Sequence, residues 1–375
     1  MNDDLALLLR HYSALSPTSP NLLPSPPFPS SVYLSLPQTQ QWLVQHLLGG
    51  DRTTSAADDG ARTWKKVFWR RAVKGIEEGF ELRRGEGDEQ VEDEEVHPDI
   101  LEAMVDFLSS SSTSGSEASS GAPGVSTRTY YWGDLREEPK RWKKVSTREE
   151  GRMISGGTTG LRTWQACIAL SNHLIASPAL LTDSSAIVEL GAGVGLLSLV
   201  AARIREGSGA GQGGGAGKIV ATDVDDRVLE LLRSNIKLND LDSFASATSL
   251  DWELASDPLE GLSQLEQWEK ATFGEGERPE LILGADIVYD PSLAGHLAAT
   301  LGWLLRPSSN VSPQALIAGT IRNETTWELF LAECRSRRLR IEPFDLLVPE
   351  GKSGIVGAEG WEGEGEVRLV RITAE

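Results

Sequence analysis

"VELGAGVGLL", residues 188–197, is the stretch whose reading decides the fold. An apolar lead-in carries one acid, Glu189. Gly191, Gly193 and Gly195 then alternate with small residues, and Leu196 and Leu197 open a second apolar run. The pattern predicts a strand, a tight turn and a helix start. A dinucleotide fingerprint needs its third glycine where Leu196 stands. A phosphate loop needs a Lys-Ser/Thr pair that does not follow here. The glycines alone suit a tight turn with no ligand equally well.

The next apolar run, "KIVATDVDD" (218–226), decides between these readings. Asp223 falls at the carboxyl end of the second strand, where open parallel sheets bind ligands. A carboxylate there accepts both hydroxyls of a ribose. Asp225 and Asp226 lie beyond it, facing solvent or capping the helix that follows. Glu189 sits inside an apolar strand and needs a partner to be buried; it fixes the glycine loop or meets an amine of the ligand. Two acids around a glycine turn repel a pyrophosphate and suit a cationic nucleoside. S-adenosylmethionine has a sulfonium, an amine and a ribose diol, and no phosphate.

Outward from this centre, strand-length apolar runs fall at 186–190, 218–222, 245–249, 280–285, 315–320, 340–346 and 366–372. Helical patterns fall at 162–176, 194–205, 226–238, 292–305 and 325–338. This alternation predicts an α/β domain, residues 125–375, with a seven-stranded, mostly parallel, Rossmann-like sheet and helices on both faces. The glycine-rich 207–217 reads as an insertion without core in the first crossover. Residues 1–108 read as a small helical unit with helices near 3–15, 37–48, 62–83 and 97–110. Residues 17–37, rich in Pro and Ser, read as irregular, the acidic run Glu86–Glu95 as a solvated loop, and 109–124 as a flexible linker. Lys65, Lys66, Arg70 and Arg71 read as one basic helix face.

The formal net charge of −19 argues against a nucleic-acid binder. It suits a basic protein surface as partner, or serves solubility. Two cysteines, Cys167 and Cys334, without metal-ligand spacing, predict free thiols in a reducing compartment and no metal site. The acidic N-terminus does not resemble a signal peptide, and no apolar run approaches a membrane span. The expectation is a cytoplasmic protein, monomeric, with no membrane or nucleic-acid partner.

"VELGAGVGLLSL" and "ATDVDD" resemble the first two motifs of the class I, seven-β-strand methyltransferases. "ISGGTTGLRTWQA" (154–166), "NIKLND" (235–240), "LDWE" (250–253) and "GADIVYD" (284–290) follow the order and approximate spacing of methyltransferase family 16, which holds many protein-lysine methyltransferases. "GGTTGLRTWQA" with "LDWE", behind a helical N-terminal region, looks most like the branch that methylates a lysine of eukaryotic elongation factor 2. The resemblance implies S-adenosylmethionine as cofactor and elongation factor 2 as protein substrate. It implies that Trp164 covers the cofactor and that Gly191, Ala192 and Gly193 approach its methionine part. Glu189 joins this cofactor set, Asp223 takes the ribose and Trp252 lies along the adenine. Ala285 and Asp286 end the fourth strand beneath the methyl donor. Lysine must be neutral to accept a methyl group, and Asp286 and Tyr289 are the candidates for positioning the amine. Each residue also has a plain reading: Trp164 as core, Trp252 as a surface aromatic, Asp286 as a turn cap. A methyltransferase of another substrate and a non-catalytic adaptor are the competing functions. An adaptor is expected to have lost motif residues that this chain keeps.

Overall fold

The computed structural model describes residues 2–16, 28–49, 59–109, 124–150, 159–209, 219–307, 312–357 and 365–375. The expected linker at 109–124 and the insertion at 207–217 fall almost wholly outside them. The exceptions are Ser109, Gly124 and 207–209: Gly207 and Ser208 form the last turn of a helix that Gly209 caps, so that helix runs past the expected end at 205.

Seven strands form the central sheet: β3 (Ile187–Leu190), β4 (Ile219–Asp223), β5 (Ala245–Ser249), β6 (Leu281–Ala285), β7 (Gln314–Thr320), β8 (Leu339–Phe344) and β9 (Val367–Ala374). Their order is β5-β4-β3-β6-β7-β9-β8. The first five are parallel, and β9 runs antiparallel to both β7 and β8. The order reverses at β3 and β6, so the crevice for a ligand opens beyond the carboxyl ends of those strands.

Strand alternation sorts the apolar residues onto two faces. Ile187, Ile219, Ala221, Leu281 and Leu283 join one core with α6 (Gln165–Ala176), α7 (Ala179–Thr182), α8 (Leu196–Ser208) and α9 (Asp226–Leu238). Val188, Val220, Ile282 and Ile317 join the other with α10 (Gly261–Phe273), α11 (Ala294–Leu304) and α12 (Glu324–Ser336). Asp225 caps α9 by accepting from the Arg227 and Val228 amides, as one of the sequence readings had it.

A third core belongs to α1 (Asp3–Ser13), α2 (Ser31–Ser35), α3 (Pro37–Leu43), α4 (Asp59–Gly85) and α5 (Pro98–Ser109). It includes Trp64, Phe68 and Trp69, and it closes on Leu135 and Trp142 from an antiparallel hairpin, β1 (Val125–Trp132) and β2 (Lys143–Glu150). The short helix α2 interrupts the stretch expected to be irregular. The acidic run is not a purely solvated loop: Asp88 and Glu94 bond Arg83, and Val91 is buried. The basic face of α4 is narrower than expected. Lys65 is buried over the Tyr12 ring, while Arg70 and Arg71 remain exposed.

Helical unit and hairpin are joined by two buried arginines. Arg10 lies over the Trp142 ring and donates to the carbonyls of Gly133, Lys352 and Gly354. Arg128 donates to Ala14 O and Leu15 O at the end of α1. The hairpin in turn docks on α9 through Asn235 and Asn239. Their side chains bond both the amide and the carbonyl of Arg148 and Ser146, completing the strand edge that β2 presents. Both cysteines are free and buried. Among the described residues, no helix is long and apolar enough to cross a membrane.

Candidate active site

β3 ends at Leu190 and the chain turns sharply over Gly191–Gly195 into α8. Gly191 and Gly193 have φ of +58° and +54°, where a side chain is strained. A Cβ on Gly191 would come within 2.7 Å of Ile287 Cγ2, and one on Gly193 within 3.0 Å of Gly160 O. The turn therefore presents bare backbone to the space above it. Ala192 N is held by Thr222 O at 2.7 Å.

Glu189 points beneath this turn and is buried. Its Oε2 accepts from the Ser198 amide at 2.9 Å and from the Ser198 hydroxyl, fixing the first turn of α8. Burial pushes its carboxyl up to about 8. Of its two sequence roles, the bonds seen are those that fix the loop.

Asp223 ends β4 beside the turn. It accepts from the amides of Gly193 (3.2 Å), Val224 (2.8 Å) and Asp225 (3.2 Å). Burial raises its carboxyl above the ordinary value, against those three bonds. Trp252 opens a short 3-10 turn capped by Asp251, and its ring borders the position a Gly191 side chain would take.

Asp286 follows Ala285 at the end of β6, with φ +55°, a conformation that costs energy for a non-glycine residue. Its carboxylate is 4 % exposed. It accepts from Ala166 N (2.9 Å), Thr320 N (2.8 Å), Thr320 Oγ1 (3.1 Å) and Arg322 Nη1 (3.4 Å). It thereby pins the start of α6 to the end of β7. Trp164 is the cap residue of α6. Its indole donates to Thr159 O, and the guanidiniums of Arg162 and Arg322 lie 4.9 and 5.1 Å from a ring centre. Tyr289 is 54 % exposed at the rim; desolvation raises its hydroxyl, against a bond to the Thr159 side chain.

These elements enclose a cavity of about 510 Å³, and all ten residues singled out in the sequence line it. Arg162, Thr163 and Asp251 line it too. Asp251 lies inside the quoted "LDWE"; Arg162 and Thr163 lie inside "GGTTGLRTWQA", where Trp164 drew the attention. Among the described residues, the lining carries seven carboxyl groups, of which Glu189 holds its proton at neutral pH, and one guanidinium. The remaining acids outnumber the base, which disfavours phosphates and favours a cation. The bare glycine turn, the carboxylate beside it and the flat Trp252 ring fit S-adenosylmethionine.

A lysine methyltransferase family profile matches residues 148–333. The protein-lysine N-methyltransferase EFM3 of Chaetomium thermophilum is 32% identical over 265 residues, covering 69% of this chain and 71% of that protein. The human protein-lysine N-methyltransferase EEF2KMT is 32% identical over 201 residues, 53% of this chain and 56% of that protein. Among solved structures, an O-methyltransferase from Bacillus cereus in complex with SAH aligns with a TM-score of 0.34 at 14% identity, over 54% of this chain and 80% of that one. The chain belongs to the lysine methyltransferase family and is an enzyme that uses S-adenosylmethionine as its methyl donor.

Proposed function

We propose that this enzyme methylates a lysine of elongation factor 2. The observation that carries the reading is the joint presence of "GGTTGLRTWQA" and "LDWE". It occurs in a chain 32% identical to the enzymes named EFM3 and EEF2KMT. On this reading the enzyme is monomeric and cytoplasmic, where its substrate is. Residues 1–108 form the unit that selects the protein, 109–124 link it, and 125–375 carry the chemistry.

In this reading the cofactor lies along the glycine turn, with Gly191, Ala192 and Gly193 against its methionine part. Asp223 takes the ribose hydroxyls, Trp252 flanks the adenine, and Trp164 covers the site over Ala285. Bound there, the cofactor supplies an electrophilic methyl group. The chain supplies position, from which most of the rate gain comes. Asp286 is saturated by four donors from its own chain, so its work is to hold Trp164 and the end of β7 in register. Tyr289, half exposed at the rim and bonded to Thr159, is the group that can face the incoming amine. Desolvation and the positive sulfonium of the cofactor favour the neutral form of the lysine, against the carboxylates of the lining. Glu189 acts from below by fixing the turn.

The test incubates the enzyme with tritiated S-adenosylmethionine and purified elongation factor 2, then maps the label by mass spectrometry. Label on one lysine, lost with Asp223→Ala, supports the proposal. Label absent there but present on another protein in a cell lysate would sink the substrate while leaving the enzyme class intact.

A further inference from the structure

We propose that Glu149, which lies outside the cavity, is a positioning residue that ties the cavity wall bearing Trp164 to the N-terminal helical unit. The proposal rests on the cofactor occupying the cavity. Glu149 sits on β2 with a side chain 3 % exposed. Its Oε2 accepts from the Thr163 amide at 3.0 Å and pairs with Arg128 Nε at 3.4 Å. Its Oε1 accepts from the hydroxyls of Thr163 (2.8 Å), Thr147 (2.6 Å) and Tyr130 (3.0 Å). Arg128 is also buried, its side chain 9 % exposed, and its Nη1 reaches Ala14 O and Leu15 O at the end of α1.

One buried chain of contacts thus runs from α1 through Arg128, Glu149 and Thr163 to Trp164. Helix ends leave carbonyls unsatisfied and carry negative partial charge, so the α1 terminus favours a guanidinium. That guanidinium needs a counter-charge once buried, and Glu149 is it. Beside the Thr147 and Tyr130 hydroxyls, the carboxylate takes two bonds from Thr163, the residue directly before Trp164. Trp164 bonds Thr159 within its own loop. Glu149 on one side and Asp286, through Ala166 N, on the other hold that loop to the rest of the domain. Next to it, the Glu150 amide donates to Leu161 O at 2.8 Å. The end of β2 therefore grips the whole 161–163 segment. A carboxylate with this many short bonds is a rigid node, and its loss frees the indole that covers the cofactor.

The experiment uses the full chain and compares Glu149→Gln, Thr163→Val and their double variant with Val145→Ala. Val145 is a buried residue of the same strand that makes none of these bonds. S-adenosylhomocysteine affinity, hydrogen exchange of amides 161–168 and the thermal midpoint are measured together. Glu149→Gln is expected to raise Kd about tenfold, the equivalent of one charge-assisted hydrogen bond, and to deprotect amides 163–168. Thr163→Val raises Kd about threefold, and the double variant is no worse than Glu149→Gln, because both cut one relay. Val145→Ala lowers the midpoint but leaves Kd within about twofold. Unchanged affinity in Glu149→Gln, or an equal loss in Val145→Ala, overturns the proposal. If Glu149→Gln does not fold, Thr163→Val alone decides, and an unchanged Kd in it is refuting. No binding by the wild type would instead refute the cofactor reading, and the proposal with it.

Discussion

Glu189→Gln should make the enzyme's stability less sensitive to rising pH. In the unfolded chain the carboxyl titrates near 4.5; in the fold it is pushed up to about 8 because it is buried among apolar residues. Between those values the folded state holds a proton that the unfolded state has released. Glu189 thus contributes its full stability below the unfolded value and loses it as pH rises through the folded one. The loss grows by about 1.4 kcal/mol per pH unit and reaches about 3 kcal/mol at pH 7. Glutamine keeps the oxygen that accepts from Ser198 and cannot ionise. Urea unfolding of the ligand-free wild type and variant, from about pH 5 to about pH 8, should give nearly equal stabilities at the acid end. Above it the variant should gain steadily. Two curves that stay parallel would show that Glu189 titrates normally and that burial does not govern it.

Asp223→Ala should weaken S-adenosylhomocysteine binding by about 1.5–3 kcal/mol for each charged hydrogen bond lost, read by isothermal titration. An unchanged affinity would move the ribose to Asp225 or Asp251. Gly193→Ala forces a side chain into φ +54° with its Cβ 3.0 Å from Gly160 O. It should lower the thermal midpoint by the equivalent of about 1 kcal/mol or more and weaken cofactor binding with it. A variant as stable and as tightly binding as wild type would refute the close approach. Replacing residues 210–217 with a short Gly-Ser linker should leave kcat/KM within about threefold, since the composition carries no core. A large loss would mean the segment meets substrate. Truncation at residue 125 should give a protein that unfolds more readily, because it strips α1 from Arg128 and bares Leu135 and Trp142. A truncated chain with the full-length thermal midpoint would refute that.

The sheet was legible in the sequence because most of its strands are short apolar runs between helical patterns. All seven appear within a few residues of their expected places, and helix 226–238 appears over the same residues as expected. The β1–β2 hairpin was not legible. "KKVSTREE" shows no apolar alternation, and besides Val145 and Glu150 its buried residues are the polar Thr147 and Glu149. They are buried because they satisfy one another, which only the fold reveals. α10 was missed for a related reason: of its large residues only Leu265 is fully buried, so the periodic signal is faint. At the site, residues carried by local motifs were found, since the glycine turn and the strand-end acids lie in contiguous stretches. Arg322 and Glu149 were not, because their partners lie elsewhere in the chain: Asp286 and Trp164 for one, Arg128 and Thr163 for the other. The spacing of Asn235 and Asn239, four apart on one helix face, was a signal for a docked strand edge that the apolar pattern overshadowed.

The antiparallel insertion of β9 bears on how the molecule assembles. β9 slots between β7 and β8, so the sheet stays incomplete until the last strand arrives. The segment just before it supplies the carbonyls of Lys352 and Gly354 that hold Arg10, across 342 and 344 residues of chain. Arg10 on α1 must therefore wait for that distant segment before it can lock. Contacts that close such long loops form late and slowly. During synthesis the apolar side of α1 can pack with α2–α5, but Arg10 stays without those carbonyls until residues 352–354 are made. A nascent chain stalled before β8 should leave residues 3–16 more susceptible to protease than they are in the released full chain.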